Sequence, residues 1–188
     1  YRLFTDLTNQ SGMDFETYWA IKRSKESNTS ILKNRLLFSE KQTKEFTKAW
    51  MSLIEEERYL EMDTLFTDTL TVLQQLEGKS ALYLVTARQF TERANRQLDR
   101  LGISSFFKKI IVTEQNRTKA ELIRLLDLDF SHSVIVGDTG EDTLAGKELS
   151  MTTVNVLTGF RNEQVLRSYS PDYIFNNLSD FYTEIVQH

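Results

Sequence analysis

The chain has 188 residues, 40% hydrophobic and 27% charged, a globular composition sized for one domain or one domain with a small insert. It has no cysteine and only two histidines, His132 and His188, which excludes disulfides, thiolate zinc sites and a histidine-built metal centre; any metal must be a hard cation held by carboxylate oxygens. A formal net charge of −4 gives no reason to expect nucleic acid or an anionic membrane as partner, and no apolar run approaches the ~20 residues that cross a bilayer. Tyr1-Arg2-Leu3-Phe4 is not a signal peptide, so a cytoplasmic protein is expected, and the missing initial Met suggests a fragment.

In chain order, the reading is first helical. Asp14 is an N-cap candidate ahead of Phe15, Tyr18, Trp19 and Lys22 at helical spacing. Ser39 and Gln42 form a capping box for a second helix with Phe46, Trp50, Leu53 and Ile54 on one face. The aromatic residues Phe15, Tyr18, Trp19, Trp50 and Tyr59 fit a helical core better than a substrate box. After Met62 strands and helices alternate. A helix is predicted over 64–75, a strand over 81–85, and a helix over 93–101 that stops at Gly102. A strand follows over 109–112. The Thr118-Lys119-Ala120-Glu121 capping box then opens a helix to about Leu126. A strand over 133–136, a helix over 141–149, a strand over 153–157 and a short strand over 173–175 complete the pattern. Near-continuous apolar strands separated by helices predict an α/β fold with a Rossmann-like parallel sheet flanked by helices, preceded by a small all-helical domain. The boundary falls at residues 1–62 and 63–188.

Ligands of such sheets bind beyond the carboxyl ends of the strands, so the residues that follow each strand carry the functional reading. The first strand ends in Thr86-Ala87-Arg88. A hydroxyl there, with backbone N–H groups of the turn, can hold a phosphate oxygen; taken alone Thr86 is equally an ordinary turn residue. Lys119 lies in a first helical turn, where the macrodipole disfavours a cation by roughly 0.3–1 kcal/mol unless carboxylates or a bound phosphate reverse the preference. The third strand runs into Gly137-Asp138-Thr139-Gly140-Glu141-Asp142. A strand-end carboxylate is costly in a cleft unless it meets a cation, and Asp138 and Asp142 are spaced to address one metal, one directly and one through water. The alternative is a Gly-Asp turn with Asp142 as a helix-start carboxylate. Together the hydroxyl, the lysine and the carboxylate pair describe a site for a small phosphorylated metabolite and a divalent cation, magnesium first.

These residues resemble motifs of the haloacid-dehalogenase (HAD)-like hydrolases. Leu84-Val85-Thr86-Ala87-Arg88 resembles the family's second motif, Lys119 its third, and Gly137-Asp138 through Asp142 its fourth, metal-binding motif. Val154 to Phe160 and Pro171-Asp172-Tyr173-Ile174 are similar to the closing segment of phosphoglycolate-phosphatase-like members. The resemblance implies a phosphohydrolase in which Asp138, helped by Asp142, holds Mg2+. Thr86, Ala87, Arg88 and Lys119 bind the phosphoryl group, with Thr86 and Lys119 in the catalytic machinery. A helical cap, residues 1–62, closes over the site. The family's nucleophile sits in a strand-end Asp-x-Asp-x-Thr, which this sequence lacks. Phe4-Thr5-Asp6-Leu7-Thr8 is the nearest imitation, and Asp68 falls inside a helical pattern. The expectation is that the first core strand and its aspartate lie upstream of Tyr1. Alternatives are a non-catalytic pseudophosphatase that binds a phosphorylated ligand, or a dehalogenase of the same fold. The sequence carries no sign of oligomeric state.

Overall fold

The computed structural model describes residues 1–9 and 12–187. His188 lies outside them. The chain divides into two compact units, Tyr1–Asp63 and Thr64–His188.

The first unit is helical among the described residues: α1 (Arg2–Leu7), α2 (Phe15–Arg23), α3 (Asn28–Asn34), α4 (Glu40–Leu53) and α5 (Glu57–Leu60). Side-chain caps set three of the starts. Asp14 accepts the Thr17 amide at 2.7 Å, Ser27 accepts that of Ser30 at 3.0 Å, and Ser39 with Gln42 closes the expected box. The apolar faces meet at Phe4, Tyr18, Ile31, Leu32 and Phe46, with Trp50 packed at the margin. The Phe4 ring lies 4.5 Å from Tyr18 and 5.9 Å from Phe46, so Tyr18 and Phe46 are core. Phe15, expected with them, is 45% exposed.

The second unit alternates as predicted: α6 (Thr69–Leu76), β1 (Tyr83–Thr86), α7 (Thr91–Arg100), β2 (Lys109–Val112), α8 (Lys119–Ile123), β3 (Val134–Gly137), α9 (Gly140–Glu148), β4 (Thr152–Val156), α10 (Glu163–Arg167), β5 (Tyr173–Phe175) and α11 (Leu178–Phe181), which runs on into a π turn over Tyr182–Val186. Two ends differ from the sequence reading by more than two residues. The helix predicted over 64–75 begins only at Thr69, with Asp68 as its N-cap residue and the Asp68 carboxylate accepting the Ser179 amide at 3.0 Å rather than an amide of its own helix. The helix predicted to Leu126 ends at Ile123.

Every ladder is parallel. Tyr83 lies opposite Lys109, Val134 opposite Thr152, and Val154 opposite Tyr173. The single sheet expected is interrupted: among the described residues β1 pairs only with β2, while β3, β4 and β5 form a separate ladder. Side chains bridge the break. Val85 of β1 and Ile135 of β3 both pack on Ala120, Ile123, Ala145 and Leu149 of the α8–α9 layer. Leu84 points the other way, into Leu73 and Leu98 of α6 and α7, as period-two alternation requires. Only β4, flanked on both edges, is buried along most of its length. Among the described residues no helix is long and apolar enough to cross a membrane.

Candidate functional site at the carboxyl ends of the strands

Thr86 is the last residue of β1 and Asp138 the first after β3, while Lys119 opens α8 and Asp142 lies in the first turn of α9. The strands and their following helices therefore deliver these four of the predicted residues to carboxyl-terminal strand ends or the helix starts beyond them. Two of them meet. The Lys119 ammonium donates to Asp142 Oδ1 at 2.5 Å, with side chains only 15% and 7% exposed. This pair resolves the unfavourable lysine in a first helical turn: the partner carboxylate outweighs the helix dipole, because Coulomb attraction strengthens as solvent is excluded. Asp142 Oδ2 is also engaged, accepting from the Thr139 amide at 3.1 Å and its hydroxyl at 2.7 Å. Gly137 makes room for this arrangement, since a Cβ there would sit 2.1 Å from Asp142 Cγ.

Asp138 has a different environment. Its Oδ2 accepts the Phe160 backbone N–H at 2.6 Å, and Gly159 leaves the space its side chain fills: a Cβ at Gly159 would lie 2.1 Å from that same oxygen. No hydrogen bond or ion pair to Asp138 Oδ1 is found among the described residues. Thr86 is half-buried and its carbonyl accepts the Thr113 amide at 3.0 Å. Ala87 is exposed, and Arg88 donates to Gln97 at 3.2 Å. No direct bond joins Thr86 or Asp138 to Lys119 among the described residues.

A hard cation can be tested against this geometry. Among the described residues no group of three or more His, Cys, Asp or Glu side chains converges on one point. Of the two aspartates at this strand end, half-buried Asp138 is the one with a carboxylate oxygen for which no protein donor is found among the described residues. That fits magnesium, which keeps several waters and is commonly held by one or two carboxylates together with substrate phosphates. Both Asp142 oxygens already serve Lys119 and Thr139, which leaves neither free for direct coordination.

Several contributing residues were not singled out from the sequence. Thr139 secures Asp142, and Phe160 secures Asp138. Tyr169 packs over the start of α9, where a Cβ on Gly140 would lie 2.3 Å from its ring. Asn155, fully buried on β4, donates to the carbonyls of Gly137 at 3.2 Å and Thr139 at 3.4 Å. An Asn within the apolar run Val154-Asn155-Val156 is the one signal that could have been read, since a buried amide demands partners.

The sequence also contains one Asp-x-Asp spacing, Asp127-Leu128-Asp129. It precedes β3, at the amino end of that strand, and Asp129 accepts from Ser131 and pairs with His132 at 2.9 Å in an exposed turn. It is thus separate from the strand-end residues. Asp6 sits within α1, paired with Arg2 at 3.1 Å and bonded by Tyr59. Asp68 is the residue held by Ser179. None of these is a strand-end carboxylate.

A family model described as HAD-hydrolase-like matches residues 115–181, a stretch that contains Lys119, Asp138, Asp142, Asn155 and Phe160. The pyrophosphatase PpaX of Bacillus velezensis is 30% identical over 128 residues, covering 63% of this chain and 59% of that protein. The chain thus spans less than two thirds of that curated relative. Among solved structures, a haloacid dehalogenase-like family hydrolase from Streptococcus pneumoniae superposes with a TM-score of 0.77 at 22% identity, over 97% of this chain and 88% of that one. The HAD-hydrolase YfnB of Bacillus subtilis, determined bound to magnesium, superposes with a TM-score of 0.59 at 18% identity, over 97% and 87%. At these identities the structural likeness speaks for the fold.

Proposed function

We propose that this chain, a member of the haloacid-dehalogenase-like hydrolases, supplies the phosphoryl-binding and cation-binding half of a magnesium-dependent phosphohydrolase acting on a small phosphorylated metabolite. The observation that carries the reading is the buried Lys119–Asp142 pair beside a half-buried Asp138 with one unoccupied oxygen, at the carboxyl ends of parallel strands. The relative named a pyrophosphatase extends the substrate class from phosphate monoesters to a phosphoanhydride.

In this reading Asp138 supplies one oxygen ligand to Mg2+, which when bound offsets charge on the phosphoryl oxygens. Asp142 holds Lys119 and addresses the cation through water. The Lys119 ammonium, kept at the edge of the site by Asp142, donates to a phosphoryl oxygen. The Thr86 hydroxyl and the amides of Ala87 and Arg88 offer further donors. The attacking carboxylate is expected on a further parallel strand. The unpaired edges of β1 and β3 support that expectation, because a parallel strand needs such an edge to pair. Residues 1–62 are proposed as the cap that selects the leaving group.

Calorimetric titration of the chain with Mg2+ and inorganic phosphate tests this. Phosphate binding should depend on Mg2+ and be lost in Asp138→Asn and weakened in Thr86→Ala and Lys119→Met. Hydrolysis of p-nitrophenyl phosphate is expected to be absent. Turnover that depends on Thr86 and Asp138 would show that the chain already holds its nucleophile. Phosphate binding indifferent to Mg2+ and to Asp138 would end the reading altogether.

A further inference from the structure

We infer that Asn155, held by Thr143, is a positioning residue that fixes the Asp138 turn from the neighbouring strand. The inference rests on the reading of Asp138 as a cation ligand. Asn155 stands opposite Gly137 in the β3–β4 register and is completely buried, as is Thr143 of α9 at 1% exposure. Its Nδ2 reaches the carbonyls of Gly137 and Thr139, at 3.2 and 3.4 Å, while its Oδ1 accepts the Thr143 hydroxyl at 2.8 Å. The chemistry allows one orientation of the amide. Two carbonyls can be met only by its NH2 group, so the oxygen must face the hydroxyl. The two carbonyls therefore decide which way the amide points, and the Thr143 hydroxyl satisfies the oxygen that is left.

The two accepting carbonyls flank Asp138, one on each side. The Gly137 carbonyl belongs to the peptide that leads into Asp138 and the Thr139 carbonyl to the peptide one residue beyond it, so the clamp spans the turn that carries Asp138. The carboxylate itself is held by Phe160, which follows β4 on the same segment of chain. One strand and its continuation thus control the backbone and the side chain of the same residue. An apolar residue at position 155 would fill the space without a buried amide to satisfy, and nothing in the sheet ladder requires the amide. What Asn155 adds is the orientation of the turn.

The test uses the full chain carrying Asn155→Asp, which keeps the shape but replaces the donor by an acceptor, and Thr143→Val and Thr143→Ser, which remove and keep the hydroxyl that satisfies the amide oxygen. Circular dichroism establishes that each is folded. Binding of Mn2+ is followed by electron paramagnetic resonance with Mg2+ competition, and hydrogen–deuterium exchange of the 137–142 segment is followed without metal. Asn155→Asp and Thr143→Val should each weaken Mn2+ binding roughly tenfold or more, the scale of lost outer-shell support. Exchange should speed up in that segment ahead of the rest of the unit, and Thr143→Ser should restore both. Folded Asn155→Asp and Thr143→Val proteins with unchanged Mn2+ affinity would overturn the inference. If the unsubstituted chain takes up no Mn2+, the cation reading fails by itself and exchange decides the clamp. Protection unchanged in both variants then refutes it, and selective loss at 137–142, reversed in Thr143→Ser, sustains it.

Discussion

Gly159 separates a steric requirement of the site from a backbone requirement of the fold. A Cβ at this position would lie 2.1 Å from Asp138 Oδ2 and 2.2 Å from its Cβ. Non-bonded carbon atoms rest about 3.5–4.0 Å apart, so the Asp138 side chain has to retreat by more than an ångström. That movement pulls Oδ2 off the Phe160 N–H it meets at 2.6 Å. Overpacking costs about 1–3 kcal/mol and a hydrogen bond to a charged group about 1.5–3 kcal/mol. With partial relaxation Gly159→Ala should lose about 3 kcal/mol, a fall in Tm of roughly 6–12 °C for a chain of this length, together with most Mn2+ binding. Gly102→Ala is the control. Its φ of +70° strains any side chain, but nothing lies within 4 Å of the added Cβ. It should cost about 1–2 kcal/mol and leave cation affinity untouched. The deciding measurement is the double variant Gly159→Ala/Asp138→Gly, read against Asp138→Gly alone, because the Asp138 Cβ is itself 2.2 Å from the added methyl. If the clash is with Asp138, removing that side chain recovers much of the loss, a coupling well above the few tenths of a kcal/mol expected of independent sites. Additive losses would refute the steric reasoning.

Two further outcomes follow from other contacts. Lys119→Met strands the Asp142 carboxylate at 7% side-chain exposure and should destabilise the chain by about 3 kcal/mol, whereas Lys119→Met/Asp142→Leu should be closer to the unsubstituted protein, both read from chemical denaturation. Bonds from the Thr153 hydroxyl and amide hold the Asp172 carboxyl below its ordinary value. A depressed folded value contributes stability that is present above the ordinary carboxylate range, about 3.9, and is lost as pH falls through the folded value. Asp172→Asn should therefore make Tm less steeply dependent on pH across the acid range than in the unsubstituted chain, and equal slopes would show that the Thr153 bonds are not what lowers the group.

Composition and pattern go far toward this architecture because burial on both faces writes itself into β1, β2 and β3 as apolar runs, and caps write themselves into Asp14, Ser39 and Thr118 as short-range pairs. Strand ends are then legible from strand positions, which is how Thr86, Lys119, Asp138 and Asp142 come to notice together. The interruption between β1 and β3 is of another kind. It depends on which edges find partners, and an apolar run has the same pattern whether one edge is paired or both. The start of the helix over 64–75 is likewise not legible locally: Asp68 stands at its N-cap, and its carboxylate is bound by Ser179, distant in sequence.

The division of labour between the two aspartates was open for the same reason. Spacing of four allows both to address one cation, and only the environment separates them. Asp142 spends one oxygen on Lys119 and the other on Thr139, and both bonds come from groups that folding brings to it. Asp138 spends one oxygen on Phe160 and keeps the other. A carboxylate fully engaged inside the protein is a poor direct ligand, because coordination must first break bonds worth about 1.5–3 kcal/mol each. The half-engaged one is already oriented and has a lone pair to give. Hence Asp138→Asn should abolish cation binding outright, while Asp142→Asn should lower the affinity through the loss of Lys119 orientation and leave measurable binding. Equal loss in the two variants would place both carboxylates in direct contact with the ion.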